Sequence, residues 1–188
     1  VAETARDFAM LLAVCHTVVL GRDDDDGSRA PGEGARRRPQ LQAESPDEEA
    51  LVLGALDELG VEFAGRSRDE CRVRLHLAGE PVDERWRVLA VIPFDSARKR
   101  MSVVVRRAAA PAGGRSAGVR LLCKGADSAI FALASDYSRV RGGRAALDRH
   151  LSAFACDGLR TLAIAQRDVS EAEWAQWSAA WHAAQTAT

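Results

Sequence analysis

The stretch RVLAVIPFDSARKRMSVVVR, residues 87–106, decides how the rest of the chain is read. Two apolar runs, residues 88–92 and 101–105, lie close enough in sequence to be the arms of an antiparallel hairpin. Pro93, Asp95 and Ser96 already carry the chemistry a turn requires. Phe94 and the basic trio Arg98, Lys99 and Arg100 exceed that requirement, so this hairpin does more than reverse the chain.

Outward from the hairpin the same period of two recurs. In CRVRLHL, residues 71–77, Cys71, Val73, Leu75 and Leu77 alternate with Arg72, Arg74 and His76, the pattern of a strand with one wet face. Residues 84–92, 101–106 and 119–124 read as further strands, with 108–118 as a loop free to vary in length, and LRTLAIAQ, residues 159–166, as a short apolar one. Their short connections imply an antiparallel meander.

The remaining segments carry helical spacing. Over residues 3–20, Phe8, Leu11, Leu12, Cys15, Val18 and Val19 fall on one face. A second helix opens at SPDE, where Ser45 suits the cap, Pro46 the first position and Glu48 the return arm of a capping box; Gly60 ends it. Residues 126–135 and 145–156 are helical around the loop-forming RGGR. A last helix follows a second capping box, Ser170 with Glu173, and aligns Trp174, Trp177 and Trp181. The expected class is α+β, an antiparallel sheet flanked by helices.

Composition narrows the function. With 188 residues the chain suits one domain, 1–188, in which GRDDDDGSRAPGEGARRRPQ, residues 21–40, reads as a disordered charged loop. It begins at Val1 with no basic-then-apolar leader, so it reads as a segment of something longer, and its longest apolar stretch, 8–20, is short of the roughly 20 residues a membrane span needs. A balance of 26 Lys+Arg against 27 Asp+Glu argues against dedicated nucleic-acid binding. Cys15, Cys71, Cys123 and Cys156 form no C-x-x-C pair and read as isolated buried thiols. An EF-hand reading of the acidic loop fails because Arg22 would take the first ligand position and Arg29 an apolar one. No glycine-rich phosphate cradle is present.

Three features remain that together suit an adenine nucleotide. CKGAD places Lys124 at a strand end, where it either reaches a ligand's charge or is a plain surface lysine, and Gly125 permits close backbone approach. DGLRTL places Arg160 after Gly158, fitted to phosphate or to an ordinary ion pair. An exposed Phe94 can stack on a purine. Glu48 is explained by its capping box without any ligand. The alternative is a non-enzymatic module binding RNA or an acidic partner through Phe94 and Arg98, Lys99 and Arg100, in which case salt dependence would be steep.

AVCHTVV, QAESPDEEALV, FDSARKRMSVVVR, CKGAD and DGLRTLAIA, in this order and spanning residues 8–177, resemble the nucleotide-binding domain of the type IV P-type ATPases, the phospholipid flippases. The KGA and the aromatic-plus-RKR hairpin are shared with other P-type branches; CHTVV, SPDEEALV and GLRTL are most similar to the lipid branch. The resemblance implies that Phe94 stacks on adenine with Glu48 at the adenine end, Ser96 and Lys99 along the wall, Lys124 over base and sugar, and Arg160 at the phosphates. It also implies ATP with Mg²⁺ whose protein ligands lie outside this chain, and phosphorylation and actuator domains as partners. It implies a parent enzyme at whose membrane's cytoplasmic face this domain sits while absent membrane helices handle the phospholipid. The Asp-Lys-Thr-Gly phosphorylation signature is absent, so turnover by this chain alone is not expected. Leu41 stands where the family commonly has an aromatic, and the 21–40 loop is longer and more charged than usual. By strand alternation Arg98 and Arg100 are expected to share a face opposite Lys99.

Overall fold

The computed structural model describes residues 2–21, 40–76, 80–108, 118–138 and 140–186. The loop expected at 21–40 falls outside them except at its two ends, as do Leu77 and most of the 108–118 loop. The elements are α1 (Ala2–Val14), β1 (Val19–Leu20), β2 (Leu41–Gln42), α2 (Pro46–Leu59), β3 (Val61–Arg66), β4 (Glu70–Leu75), β5 (Val82–Asp95), β6 (Arg100–Arg107), β7 (Val119–Gly125), α3 (Asp127–Phe131), α4 (Gly143–Cys156), β8 (Ala163–Val169) and α5 (Glu171–Thr186).

Strands β3 to β8 form a six-stranded sheet in sequence order, every neighbouring pair antiparallel. The meander and the α+β class expected from the sequence are both present. β6 lies centrally and its Met101–Val105 run is buried on both faces, which is why it reads as continuous apolar sequence rather than as alternation. Odd positions Met101, Val103 and Val105 join the large core beneath α1 and α2, whereas Val104 joins a smaller cluster with Ala90, Val119, Leu121 and Trp174 of α5.

The β5–β6 hairpin answers the question its sequence poses. Ile92 pairs with Ser102 and Asp95 with Arg100, so Pro93 and Phe94 together oppose Met101 alone. That is a β-bulge, and Pro93, which has no N–H to offer the ladder, is the residue such a position tolerates. A second bulge at Leu89 lies between the Val88–Val105 and Ala90–Val104 pairs.

Several boundaries differ from expectation. The first helix stops at Val14, not at residue 20, because Arg66 reaches back from β3 and donates to the carbonyls of Val14 and His16. A cation on the last carbonyls is a natural helix stop. Val19 and Leu20 then pair with Gln42 and Leu41. β3 itself is absent from the sequence reading; Val61, Phe63 and Gly65 point inward, but a bulge around Gly65 and the short run obscured the alternation. The helix expected over 126–135 is only α3, the strand expected over 159–166 lies at Ala163–Val169, and Gly158 closes α4 in a left-handed cap rather than opening a strand. At α5, Ser170 Oγ accepts from the Glu173 N–H at 3.2 Å, but the Glu173 carboxylate binds Arg167, so only half of that capping box forms. Trp174, Trp177 and Trp181 do stack along one stripe. Cys15, Cys71 and Cys123 are buried as expected, and burial pushes the Cys15 thiol up to about 12 and the Cys71 thiol up to about 11; Cys156 is exposed.

Charged side chains lock α1 onto the sheet. Arg6 of α1 and Arg107 of β6 both bind the buried carboxylate of Glu84. Asp7 takes Arg120 of β7 at 3.3 Å and the Gln166 amide of β8 at 3.0 Å. These contacts fix how α1 lies on the sheet, and hence where the residues that leave it begin.

Two outcomes follow from packing. A methyl at Gly125 would lie 2.4 Å from the Lys99 carbonyl oxygen and 2.6 Å from Arg100 Cβ, atoms that cannot swing aside. Gly125→Ala is expected to cost about 1–3 kcal/mol in urea unfolding, against little change for Gly118→Ala, where nothing lies within 4 Å. His16 is fully buried, edge-on to Phe63 at 4.5 Å, and donates from Nε2 to the Ala13 carbonyl at 2.9 Å. Burial, then the nearby Arg66 charge, push its pKa down to about 3. The unfolded chain therefore takes up the proton first, and stability falls as pH drops from about 6.5 towards 3, by up to about 1.4 kcal/mol per pH unit. Urea titrations between pH 7 and 5 are expected to show this slope in the wild type and to lose it in His16→Gln.

Candidate functional site

The site begins with the segment that leaves α1. With Arg66 holding the carbonyls on either side of it and His16 sealed against Phe63, Cys15 packs under the sheet with its thiol 3.7 Å from the Leu122 carbonyl. Thr17 then has one direction open to it, towards the first turn of α2. Its N–H and its hydroxyl both donate to Glu48 Oε2, at 3.0 and 2.7 Å. The other carboxylate oxygen, Oε1, accepts from Lys124 Nζ at 2.9 Å.

This overturns two local expectations. Ser45 does cap α2, but it accepts from the Asp47 N–H at 3.3 Å, and Glu48 does not turn back to complete the box. Lys124 is not a surface lysine: its side chain is 7% exposed and Glu48 is 13% exposed, so both charges are largely out of water. On β7 Lys124 stands between Met101 of β6 and Ile164 of β8, which leaves the ammonium to find its partner above the sheet, on α2. Burial acts to raise the Glu48 pKa, but hydrogen bonds from Lys124 and Thr17 outweigh it and hold the carboxyl below its ordinary value. Glu48 is therefore ionised at neutral pH.

The hairpin reaches the same end of the sheet. Asp95 Oδ1 accepts from the N–H groups of Ala97 and Arg98 at 3.0 and 2.9 Å, and the Asp95 carbonyl accepts from Lys99 at 2.6 Å. Lys99 sits at φ 53°, a left-handed conformation that costs a non-glycine residue energy and persists because its neighbours enforce it. Its carbonyl takes the Ala126 N–H at 2.9 Å, so the turn is bolted to the β7–α3 junction just beyond Lys124. The backbone that Gly125 admits so closely is thus that of Lys99 and Arg100. Phe94 is left 64% exposed, and Ser96 and Lys99 are exposed beside it. Arg98 and Lys99 belong to the turn, so the expected alternation of faces does not apply; Arg100 instead donates to the Arg98 carbonyl at 3.1 Å.

Arg160 lies in the α4–β8 connection with its side chain 79% exposed, and pairs with Asp47 Oδ2 at 3.1 Å. Successive residues of α2, Asp47 and Glu48, therefore hold one cation each, from two different segments. Of the six residues singled out in the sequence, contacts join Glu48 with Lys124 directly and bring Arg160 to the adjacent Asp47. Phe94, Ser96 and Lys99 connect through the hairpin backbone. Thr17 and Asp47 were missed: nothing in the spacing of CHT marks its threonine, and Asp47 reads as an ordinary first-turn acid. Among the described residues no group of three or more His, Cys, Asp and Glu side chains is placed to hold a metal ion, and no helix is long and apolar enough to cross a membrane.

The sequence is similar to those of known proteins over nearly its whole length. Residues 12–187 match the family model described as P-type ATPase, cytoplasmic domain N. The chain is 37% identical over 179 residues to the probable phospholipid-transporting ATPase 7 of Arabidopsis thaliana, covering 95% of this chain and 13% of that protein. It is 38% identical over 180 residues to the phospholipid-transporting ATPase DRS2 of Saccharomyces cerevisiae, covering 96% of this chain and 12% of that one. The phospholipid-transporting ATPase DNF1 of Chaetomium thermophilum is likewise 38% identical over 180 residues, with 93% and 10% covered. The chain thus spans about an eighth of the length of these relatives. With a family model matching nearly the whole chain and an antiparallel six-stranded sheet flanked by helices, the chain belongs to the family of P-type ATPase cytoplasmic N domains.

Proposed function

We propose that this chain is the ATP-binding domain of a phospholipid-translocating P-type ATPase, and that it presents the γ-phosphate to an aspartate in a separate phosphorylation domain. The observation that carries the reading is Phe94, a large apolar ring left 64% exposed on a bulge whose turn is anchored at Ala126, two residues beyond Lys124. A solvated phenylalanine on a rigid support serves stacking better than it serves stability.

In this reading Phe94 stacks on the adenine and Glu48, held ionised, accepts from donors at the base's edge. Ser96 and Lys99 line the wall beside the ring. Lys124 supplies charge near base and sugar, and Arg160 reaches the phosphates. Mg²⁺ travels with the nucleotide and its protein ligands lie in other domains of the parent. Those domains, the phosphorylation and actuator domains, are the proposed partners, and lipid passage between leaflets belongs to membrane segments outside this chain. The names of the relatives and the use of ATP by P-type pumps generally support this assignment.

ATP binding to the isolated chain is expected in the high-micromolar to millimolar range, about 4–6 kcal/mol. In an NMR titration of the labelled chain, amide shifts are expected to cluster around Phe94, Lys99 and Lys124. Phe94→Ala is expected to weaken binding by about 1–3 kcal/mol without changing the melting temperature much, since the ring contributes little to the core. Shifts scattered away from the hairpin, or an unchanged affinity in Phe94→Ala, would remove the support for the reading.

A further inference from the structure

We propose that Asp47 acts as an internal stand-in for the nucleotide's phosphate, holding Arg160 until a polyphosphate displaces it. The inference rests on the ATP-binding reading above and adds a residue and a selectivity to it.

The two ion pairs at the start of α2 are built differently. Glu48 is clamped at both oxygens, by Thr17 and by Lys124, and is largely buried. Asp47, one residue earlier, meets Arg160 at 3.1 Å in a pair whose side chains are 36% and 79% exposed. An exposed pair of this kind is weak and readily exchanged. A carboxylate and a phosphate offer a guanidinium the same two-oxygen geometry, and a di- or triphosphate offers it with more charge. Arg160 hangs from a connection that is pinned at the Gly158 cap of α4, where the Gly158 and Leu159 N–H groups bind the Ala155 and Phe154 carbonyls at 3.1 and 2.9 Å. Among the described residues its side chain has no second partner, so exchanging Asp47 for phosphate breaks nothing else there.

The exchange predicts that Asp47 lowers affinity in proportion to what a ligand offers Arg160. Adenosine, which has no phosphate, is indifferent to Asp47; ADP and ATP are opposed by it. Removing Asp47 frees Arg160 for the phosphates.

The test compares the full 188-residue chain with Asp47→Asn, Arg160→Gln and the double variant, following adenosine, ADP and ATP by NMR titration. Asp47→Asn is expected to bind ATP and ADP about two- to fivefold more tightly than the wild type, with adenosine unchanged. In the Arg160→Gln background the same substitution is expected to give no gain. Asp47→Ser, which keeps a polar side chain in the first helical turn, guards against a variant that fails to fold, and is expected to behave like Asp47→Asn. ATP affinity unchanged or reduced in Asp47→Asn, with shifts still centred on Phe94, overturns the exchange and leaves the ATP reading standing. A gain that persists without Arg160 also overturns it, since that is charge removal alone. Absence of any nucleotide response around Phe94 in all five proteins overturns both.

Discussion

The buried contact between Glu48 and Lys124 is the constraint on which this structure turns. Taking a carboxylate and an ammonium out of water is costly, and the cost is offset only if each finds its partner and its remaining hydrogen-bonding capacity is filled. Thr17 supplies two of those hydrogen bonds, both to the oxygen that Lys124 leaves free. One interaction thereby ties together the exit of α1, the first turn of α2 and the end of β7, three segments more than thirty residues apart at each step. Leaving either charge alone would cost more than the pair contributes, so the three segments assemble together or not at all.

The rest of the fold delivers these residues to one another. Glu84 with Arg6 and Arg107, and Asp7 with Arg120 and Gln166, hold α1 across the sheet, and Arg66 ends it at Val14 so that Thr17 meets α2. On the opposite side of the hairpin, Gly125 lets β7 press against the Lys99–Arg100 backbone, and the bulge at Pro93 turns Phe94 outward beside that contact. A rigid aromatic, a buried ionised pair and an exposed, exchangeable arginine thus share one end of the sheet, a combination suited to a ligand with a flat base at one end and charge at the other.

Much of this was legible in the residues, and the failures have a common cause. Alternation in CRVRLHL, the apolar run of β6 and the turn chemistry around Asp95 are local signals, and the meander and the hairpin follow from them. Local rules misled where a distant residue intervened. Val18, Val19 and Leu20 continue the helical pattern of α1, yet Arg66, some fifty positions on, takes the carbonyls that would have extended it. Glu48 satisfies the capping-box spacing, yet Thr17 and Lys124 offer it stronger, charge-assisted partners. Lys124 reads as exposed at a strand end because nothing nearby in sequence predicts the α2 carboxylate above it. The aromatic hairpin, KGA and GLR segments were found from their residue types, while Thr17 and Asp47, whose importance comes only from what they touch, were not.

The central claim, that Glu48 and Lys124 form a single coupled buried unit, is tested most directly by a double-mutant cycle of Glu48→Gln and Lys124→Met on the free energy of urea unfolding at pH 7. Each single substitution is expected to cost about 3–5 kcal/mol because it strands a buried charge, and the double substitution to cost much less than their sum. Costs that add to within about 0.5 kcal/mol would show that the two side chains act independently and would contradict the account.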